Sequence, residues 1–405
     1  MNPRIVTVAL ATFFVAVQFY TSLESLSPTP QFGYAFLGLH GALALAIAIV
    51  LAGVACIVAL ASRRVAIART VYGSVALIWI GATALSSLVG IDPGSGLQIV
   101  AMMALCGAFG CALVAWYDEP GVAHATMRAY LWACGLASIA GIAMQLARVP
   151  RALYASSYGR AAGFFVTANQ FAEFAEFFAL VALGIALGAR ERRMRVLGAC
   201  ASAAGFAALA LTFSRECYLG AALGACFFAF AMGRRAVAGA IGILTMIGVS
   251  LILIHPLPHH DPSDSFSRLR TLDAGLRVAT LFPLTGVGPM AYFRVYPAIA
   301  PVNGAPPGTF GALHPHDVYV SLAGELGIVG IAAVVWGWAR IARELAASLR
   351  VRAPRERVVS LGVCAALVAG FVSGLFDTIG VVQMMFVWLP YAALAVASAR
   401  ARGLA

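Results

Sequence analysis

The chain has 405 residues, of which 62% are hydrophobic and only 11% charged, with a mean hydropathy of +0.91; this excludes a soluble core wrapped in a polar surface. The formal charge of +11 does not point to nucleic acid, because the basic residues sit in short clusters between apolar runs rather than along one face. All of that charge is arginine, with no lysine in the chain. A GC-rich genome accounts for such a bias, and arginine also suits bidentate phosphate recognition.

The apolar runs have the length of a helix crossing a hydrocarbon core of about 30 Å. Backbone polar groups in lipid must be satisfied within each segment, so the runs are expected to be helical. The fold class is therefore all-α, a polytopic transmembrane helical bundle forming one integral membrane domain over 1–405. Apolar windows predict about twelve spans, at roughly 5–23, 42–61, 71–90, 97–116, 128–147, 169–189, 196–213, 217–232, 236–254, 317–339, 358–376 and 382–398. The first, preceded by Arg4, lacks a small-residue cleavage site and reads as a retained span. The eight cysteines are scattered through apolar stretches without a paired spacing, so neither a metal nor a disulfide framework is expected, and no cofactor.

Basic clusters follow the second span (Arg63, Arg64, Arg69), the sixth (Arg190, Arg192, Arg193, Arg195), the eighth (Arg234, Arg235), the tenth (Arg340 to Arg357) and the last (Arg400, Arg402). All follow even-numbered spans, which places both termini in the cytoplasm. Three segments on the opposite, periplasmic side break the pattern. The loop after span five carries Arg148, Arg151 and Arg160; the turn between spans seven and eight carries Arg215; the long segment 255–316, between spans nine and ten, carries Arg268, Arg270, Arg277 and Arg294. Positive charge where topology disfavours it calls for an anionic ligand at the outer surface. Arg148, Arg151 and Arg294 are expected to meet lipid headgroups.

The segment 255–316 is the one long connection, and such loops in compact bundles are usually functional. A short amphipathic helix is expected within it over 266–280. Leu269, Leu272, Leu276 and Ala279 fall on one face and Arg270, Asp273 and Arg277 on the other, with Arg268 at the edge of the apolar stripe and pointing inward. The stretch from His314 to Gly330 then places His316 at the outer entrance of span ten, on a face of small residues that admits another helix. Neighbouring arginines favour the neutral imidazole, fit to act as a base. On spacing alone, a headgroup-level histidine without a role competes evenly with that reading. Asp317 caps the helix that begins there or, by its charge, opposes the arginines at His316. Glu173 and Glu176 are costly in lipid and are expected to pair with an arginine. Glu325 is expected to be a structural partner on the face away from His316. Gly220 and Gly224 form a helix-packing pair.

Several of these segments resemble the signature of the O-antigen ligase and polymerase superfamily. They are His316-Asp317 followed after nine residues by Gly327-Ile328-Val329-Gly330, and Ser267-Arg268 through Leu276-Arg277 to Phe282-Pro283-Leu284-Thr285-Gly286-Val287-Gly288-Pro289. Upstream lie Ser214-Arg215, and Gly159-Arg160-Ala161-Ala162-Gly163 with Asn169. Asp317 stands where the family more often has Asn, Ser or Gln. The resemblance implies transfer of a glycan from an undecaprenyl-pyrophosphate carrier to a sugar hydroxyl of lipid A–core, without metal or nucleotide. The residues suit that chemistry: guanidinium groups stabilise a pyrophosphate leaving group without a divalent ion, and a neutral histidine accepts the hydroxyl proton. Arg215 and Arg268 are accordingly expected on the pyrophosphate and His316 on the acceptor, with inversion at the anomeric carbon. Arg160, Arg270, Arg277, His314 and Asp317 are the further substrate-binding candidates. The partners implied are the glycan donor, lipid A–core and membrane lipids. A polymerase or a protein O-oligosaccharyltransferase would use the same donor. A transporter is the reading from another class, although no repeated halves relate 1–200 to 201–405.

Overall fold

A computed structural model describes residues 71–107 (apart from 98, 102, 105 and 106), 122–149, 159–254 (apart from 166), 262–299, 314–351 and 354–377. Most of these residues are helical, with no strand among them. The helices are α1 (Val71–Val89), α2 (Val122–Ala147), α3 (Ala168–Gly188), α4 (Arg192–Thr212), α5 (Arg215–Ala231), α6 (Arg235–Ile254), α7 (Pro262–Leu281), α8 (Tyr292–Ile299), α9 (Val318–Val351) and α10 (Pro354–Ser373). Six of them, α1, α2, α3, α4, α9 and α10, are long and apolar enough to cross a membrane. The chain is thus a membrane protein of the all-helical class. The spans expected at 5–23, 42–61 and 382–398, and most of that at 97–116, lie outside the described residues.

The core is built on α3, packed against α4, α10 and α5. Its start is fixed by a capping box in which Thr167 accepts the Gln170 N–H and the Gln170 side chain accepts the Thr167 N–H. Phe165, Phe171, Phe174 and Phe178 then stack in series, with ring centroids 5.3 to 6.2 Å apart. Close helix contact comes from small residues. A Cβ on Gly184 would stand 2.8 Å from the Gly362 Cα, and one on Gly224 2.6 Å from the Ala365 carbonyl oxygen. The expected Gly220/Gly224 pair therefore packs α5 onto α10.

Successive helices run up and down, so the basic junctions α3–α4, α5–α6 and α9–α10 gather at one end of the bundle. Arg190 pairs with Glu356 across two of these junctions at 3.3 Å. The α4–α5 turn, the start of α3, the start of α9 and the end of α10 gather at the other.

The turn after α7 opens α9. At Gly327 the backbone leaves the helix (φ 62, ψ −164), and the two helical hydrogen bonds from Ile328 and Val329 back to Gly324 and Glu325 are lost. The segment 283–288 inserts in their place. The N–H groups of Val287 and Gly288 donate to the carbonyls of Gly324 and Glu325 at 2.9 and 3.0 Å, while those of Ile328 and Val329 donate to Pro283 and Leu284 at 2.9 and 3.2 Å. Ser86 at the end of α1 adds its hydroxyl to the Thr285 and Glu325 carbonyls. The carbonyls of Gly324 and Glu325 and the N–H groups of Ile328 and Val329 thus all keep partners, the condition for interrupting a helix in a membrane. The Pro-x-x-Gly-x-Gly and Gly-x-x-Gly segments are thereby two sides of one joint. A Cβ at Gly327 would lie 2.4 Å from the Leu284 carbonyl oxygen. Gly327→Ala is expected to cost at least about 1–3 kcal/mol from the left-handed backbone alone. Gly81→Ala, on α1 where a Cβ meets nothing within 4 Å, is expected to leave stability equal or slightly higher. Thermal unfolding of the two purified variants checks the pair, and equal melting temperatures would contradict the joint.

The helix expected over 266–280 is present as the longer α7, but it packs through a different stripe. Thr271, Ala274, Gly275 and Val278 are buried, whereas Leu269 and Leu276 are 63% and 50% exposed. The reason is closeness: a Cβ on Gly275 would lie 2.6 Å from Pro315 and 2.7 Å from Val320, so only a small-residue face fits against the start of α9. The leucines turn outward, where lipid or its headgroup boundary accepts them.

Candidate functional site

The end of the bundle opposite the basic junctions brings together residues from five separate elements. His316 sits just before α9 with φ 53, a left-handed conformation uncommon for a residue with a side chain. Its N–H donates to His314 Nδ1 at 3.3 Å, and the two rings lie 4.3 Å apart. Next to it, Asp317 accepts the N–H groups of Tyr319 and Val320, both at 2.8 Å, and so acts as the cap of α9.

The carboxylate that meets His316 is Asp377, in the turn that follows α10. His316 Nδ1 lies 3.3 Å from Asp377 Oδ1. The other oxygen, Oδ2, accepts the Asn169 amide at 2.5 Å. Asn169 Oδ1 in turn accepts Arg160 Nη2 at 2.5 Å, while Arg160 Nε donates to the Thr212 carbonyl at 2.7 Å. A continuous polar chain thus runs Arg160, Asn169, Asp377, His316. Ser214 Oγ lies 2.6 Å from Glu216 Oε1 and 3.4 Å from Asn169 Oδ1, tying the α4–α5 turn to the same chain. Arg215 is the half-buried first residue of α5, directly after Ser214.

Arg268 reaches inward from α7, and its Nη1 donates to the Phe376 carbonyl at 3.2 Å. The inward placement expected for Arg268 is the observed one. Arg270 and Arg277 are exposed on the other side of α7, Arg277 pairing with Asp273 at 2.9 Å. These two stand apart from the cluster formed by Arg160, Arg268, His314 and His316. Arg294, expected at headgroups, instead pairs with Asp92 at 2.5 Å. Arg151 lies outside the described residues.

Charges in the cluster are interdependent. Burial pushes the Asp377 carboxyl up, but its hydrogen bond with His316 and the charges of His316, Arg268 and His314 hold it well below the usual carboxylate range. Burial, followed by the charge of His316, pushes His314 down to about 3, so it is neutral in the working range. Burial also lowers Arg160, which Glu216 opposes.

The expectation that Glu176 pairs with an arginine is corrected: its two oxygens accept Ser373 Oγ at 3.0 and 2.8 Å. Glu325 accepts the backbone N–H groups of Met290 and Tyr292, a structural part in keeping with its expected place.

Asp377 did not emerge from sequence, although one signal for it was present. It is the only acidic residue after Glu356, and a lone carboxylate at the end of an apolar run is expensive without a purpose. Ligand atoms of His314, His316 and Asp377 all lie within 4.8 Å of one another, a grouping that would fit a metal ion. Within this cluster, however, Asp377 is already engaged by both His316 and Asn169.

Residues 178–335 match the family model described as O-antigen ligase. This segment is similar to the O-antigen ligase superfamily. It runs from the middle of α3 into α9 and contains Arg215, Arg268 and His316, whereas Arg160, Asn169 and Asp377 fall outside it. A comparison with curated proteins returns no match. Members of the superfamily are ligases or polymerases of glycans, so the matched domain supports an enzyme that joins glycans at a membrane.

Proposed function

We propose that this chain is an O-antigen ligase, transferring a glycan from undecaprenyl pyrophosphate to a sugar hydroxyl of lipid A–core on the periplasmic face of the inner membrane. The observation that carries this reading is the pairing of His316 with Asp377 beside arginines from separate elements, Arg160 before α3 and Arg268 on α7. Arg215 begins α5 at the same end of the bundle.

In this mechanism Asp377 accepts a hydrogen bond from Nδ1–H of His316, which fixes the tautomer and leaves the Nε2 lone pair free. Nε2 takes the proton of the acceptor hydroxyl as its oxygen attacks the anomeric carbon. The bond from that carbon to the pyrophosphate oxygen breaks on the opposite face, giving inversion, and the electron pair leaves with undecaprenyl pyrophosphate. Arg215 and Arg268, together with Arg160, stabilise the charge that develops on the leaving group. The proton on His316 returns to water. Neither a nucleotide nor a metal enters these steps.

The test is an acceptor assay with the purified chain in liposomes, supplied with an undecaprenyl-pyrophosphate glycan and lipid A–core. Transfer to lipid A–core that persists in excess EDTA is expected. Lengthening of the donor glycan without transfer to lipid A–core would make the chain a polymerase. Activity abolished by EDTA and restored by a divalent ion would overturn the metal-free mechanism and assign His314, His316 and Asp377 to a metal.

A further inference from the structure

Glu176 lies two turns into α3, 1% exposed, within a helix apolar enough to span the membrane. A carboxyl group there is expensive unless its oxygens are given donors. Both lie within hydrogen-bond distance of one hydroxyl, that of Ser373, at 3.0 and 2.8 Å, and share its single proton, with the Cys217 side chain adding a further hydrogen bond. The same Ser373 Oγ lies 3.4 Å from the Glu216 carbonyl oxygen. The contact therefore sits where α3, α5 and α10 meet. Space for it is made by Gly220, where a Cβ would stand 2.3 Å from Ser373 Oγ and 2.8 Å from Glu176 Oε1.

Ser373 is the last residue of α10, and the turn that leaves it serves the site three times. The Gly374 carbonyl accepts the Val318 N–H at 2.9 Å, directly after the His316-Asp317 pair. The Phe376 carbonyl accepts Arg268, and the Asp377 carboxylate holds His316. The turn is wound on Ser373 itself, whose carbonyl accepts the N–H groups of Phe376 and Asp377 at 3.0 and 3.2 Å.

We propose that Glu176 is a positioning residue for transfer: through Ser373 it pins the turn 374–377, and so sets His316, Arg268 and the start of α9 in one geometry. Neither Glu176 nor Ser373 is placed against substrate. The proposal rests on the glycosyl-transfer reading above for its kinetic consequence. A displacement of about 1 Å in a reacting group costs on the order of 10²-fold in rate, which is the scale on which releasing this turn is felt.

The experiment uses the full chain in liposomes with Glu176→Ala, Glu176→Gln, Ser373→Ala and the double alanine variant. Glu176→Ala is expected to lower kcat roughly 10- to 100-fold. The acid limb of its pH–rate profile is expected to move in the same direction as that of Asp377→Asn. Glu176→Gln keeps an oxygen that accepts the Ser373 hydroxyl, and is expected to recover most of the rate. The double variant is expected to be no worse than Glu176→Ala, because the two residues act as one unit. Wild-type kcat in Glu176→Ala, a Gln variant as slow as the Ala variant, or a loss with the pH profile unmoved would each overturn the proposal.

Hydrogen exchange of the amides at 374–377 reads the clamp without substrate: protection should fall in Glu176→Ala and persist in Glu176→Gln. Unchanged protection in Glu176→Ala overturns the clamp by itself. A wild-type chain that transfers no glycan, with exchange behaving as expected, would instead sink the functional reading and leave the clamp standing.

Discussion

His316→Ala is expected to lower glycan transfer roughly 10²- to 10⁴-fold, the usual contribution of a positioned general base, while the protein reaches the membrane in normal amount. The retained abundance follows from where His316 sits. It precedes α9 rather than lying within it, the helix keeps its cap from Asp317, and the Val318 N–H keeps its bond to Gly374. Its backbone is left-handed (φ 53), so alanine bears a modest strain there, but asparagine adopts that conformation more readily. His316→Asn is therefore the control. It should match the alanine variant in lost transfer while expressing at least as well. Donor binding should be little changed in both, since the pyrophosphate is assigned to the arginines. Transfer measured at saturating donor in membranes normalised for protein checks this, and retention of more than about a tenth of the rate would remove His316 from the role of base.

Asp377→Asn is expected to lower the rate on the order of 10²-fold and to move the acid limb of the pH–rate profile to lower pH. Both effects have one cause. The carboxylate orients Nδ1–H and favours the imidazolium that forms when the acceptor proton is taken. An amide of the same shape cannot supply the charge, so the imidazolium is harder to form. The loss of rate on acidification is then expected to set in at lower pH. In the parent protein Asp377 is held well below the usual carboxylate range by its bond to His316 and the charges of His316, Arg268 and His314, against the opposing effect of burial. It therefore stays ionised through the working range, and the acid limb belongs to another group. A variant with a lowered rate but an unmoved acid limb would mean that Asp377 only braces the turn.

Much of the fold was legible because lipid imposes a blunt rule. A run of apolar residues of spanning length must be a helix, and the runs near 71–90, 128–147, 169–189, 196–213, 317–339 and 358–376 all correspond to long apolar helices. The arginines at 160 and 268 were legible because they broke the charge pattern of the loops, and the structure brings them to one end with His316.

What escaped the sequence was the packing and the partners. Leu269 and Leu276 looked like the buried stripe of α7 by the logic of a soluble protein, where leucine avoids water. Against a membrane, leucine is satisfied outside, and it is the small stripe through Gly275 that decides the close contact. The break in α9 depends on a loop about forty residues earlier and on Ser86 from α1, so no local pattern encodes it in full. Asp377 lies 61 residues from His316. Asp317, adjacent in sequence, drew attention as the carboxylate beside the histidine, yet its oxygen is turned to the helix it caps. Glu176 illustrates the same point: a buried acid in an arginine-rich chain suggested an ion pair, whereas the Ser373 hydroxyl and the Cys217 side chain are its partners.

The measurement that bears most directly on the central claim is the anomeric configuration of the product from the purified chain, with a donor of defined linkage and lipid A–core as acceptor. Attack by a hydroxyl deprotonated at His316, on the face opposite a pyrophosphate held by Arg215 and Arg268, predicts a single inverted linkage by NMR and one undecaprenyl pyrophosphate released per glycan transferred. A product with retained configuration, or release of the carrier without a new glycosidic bond to the acceptor, would contradict the account.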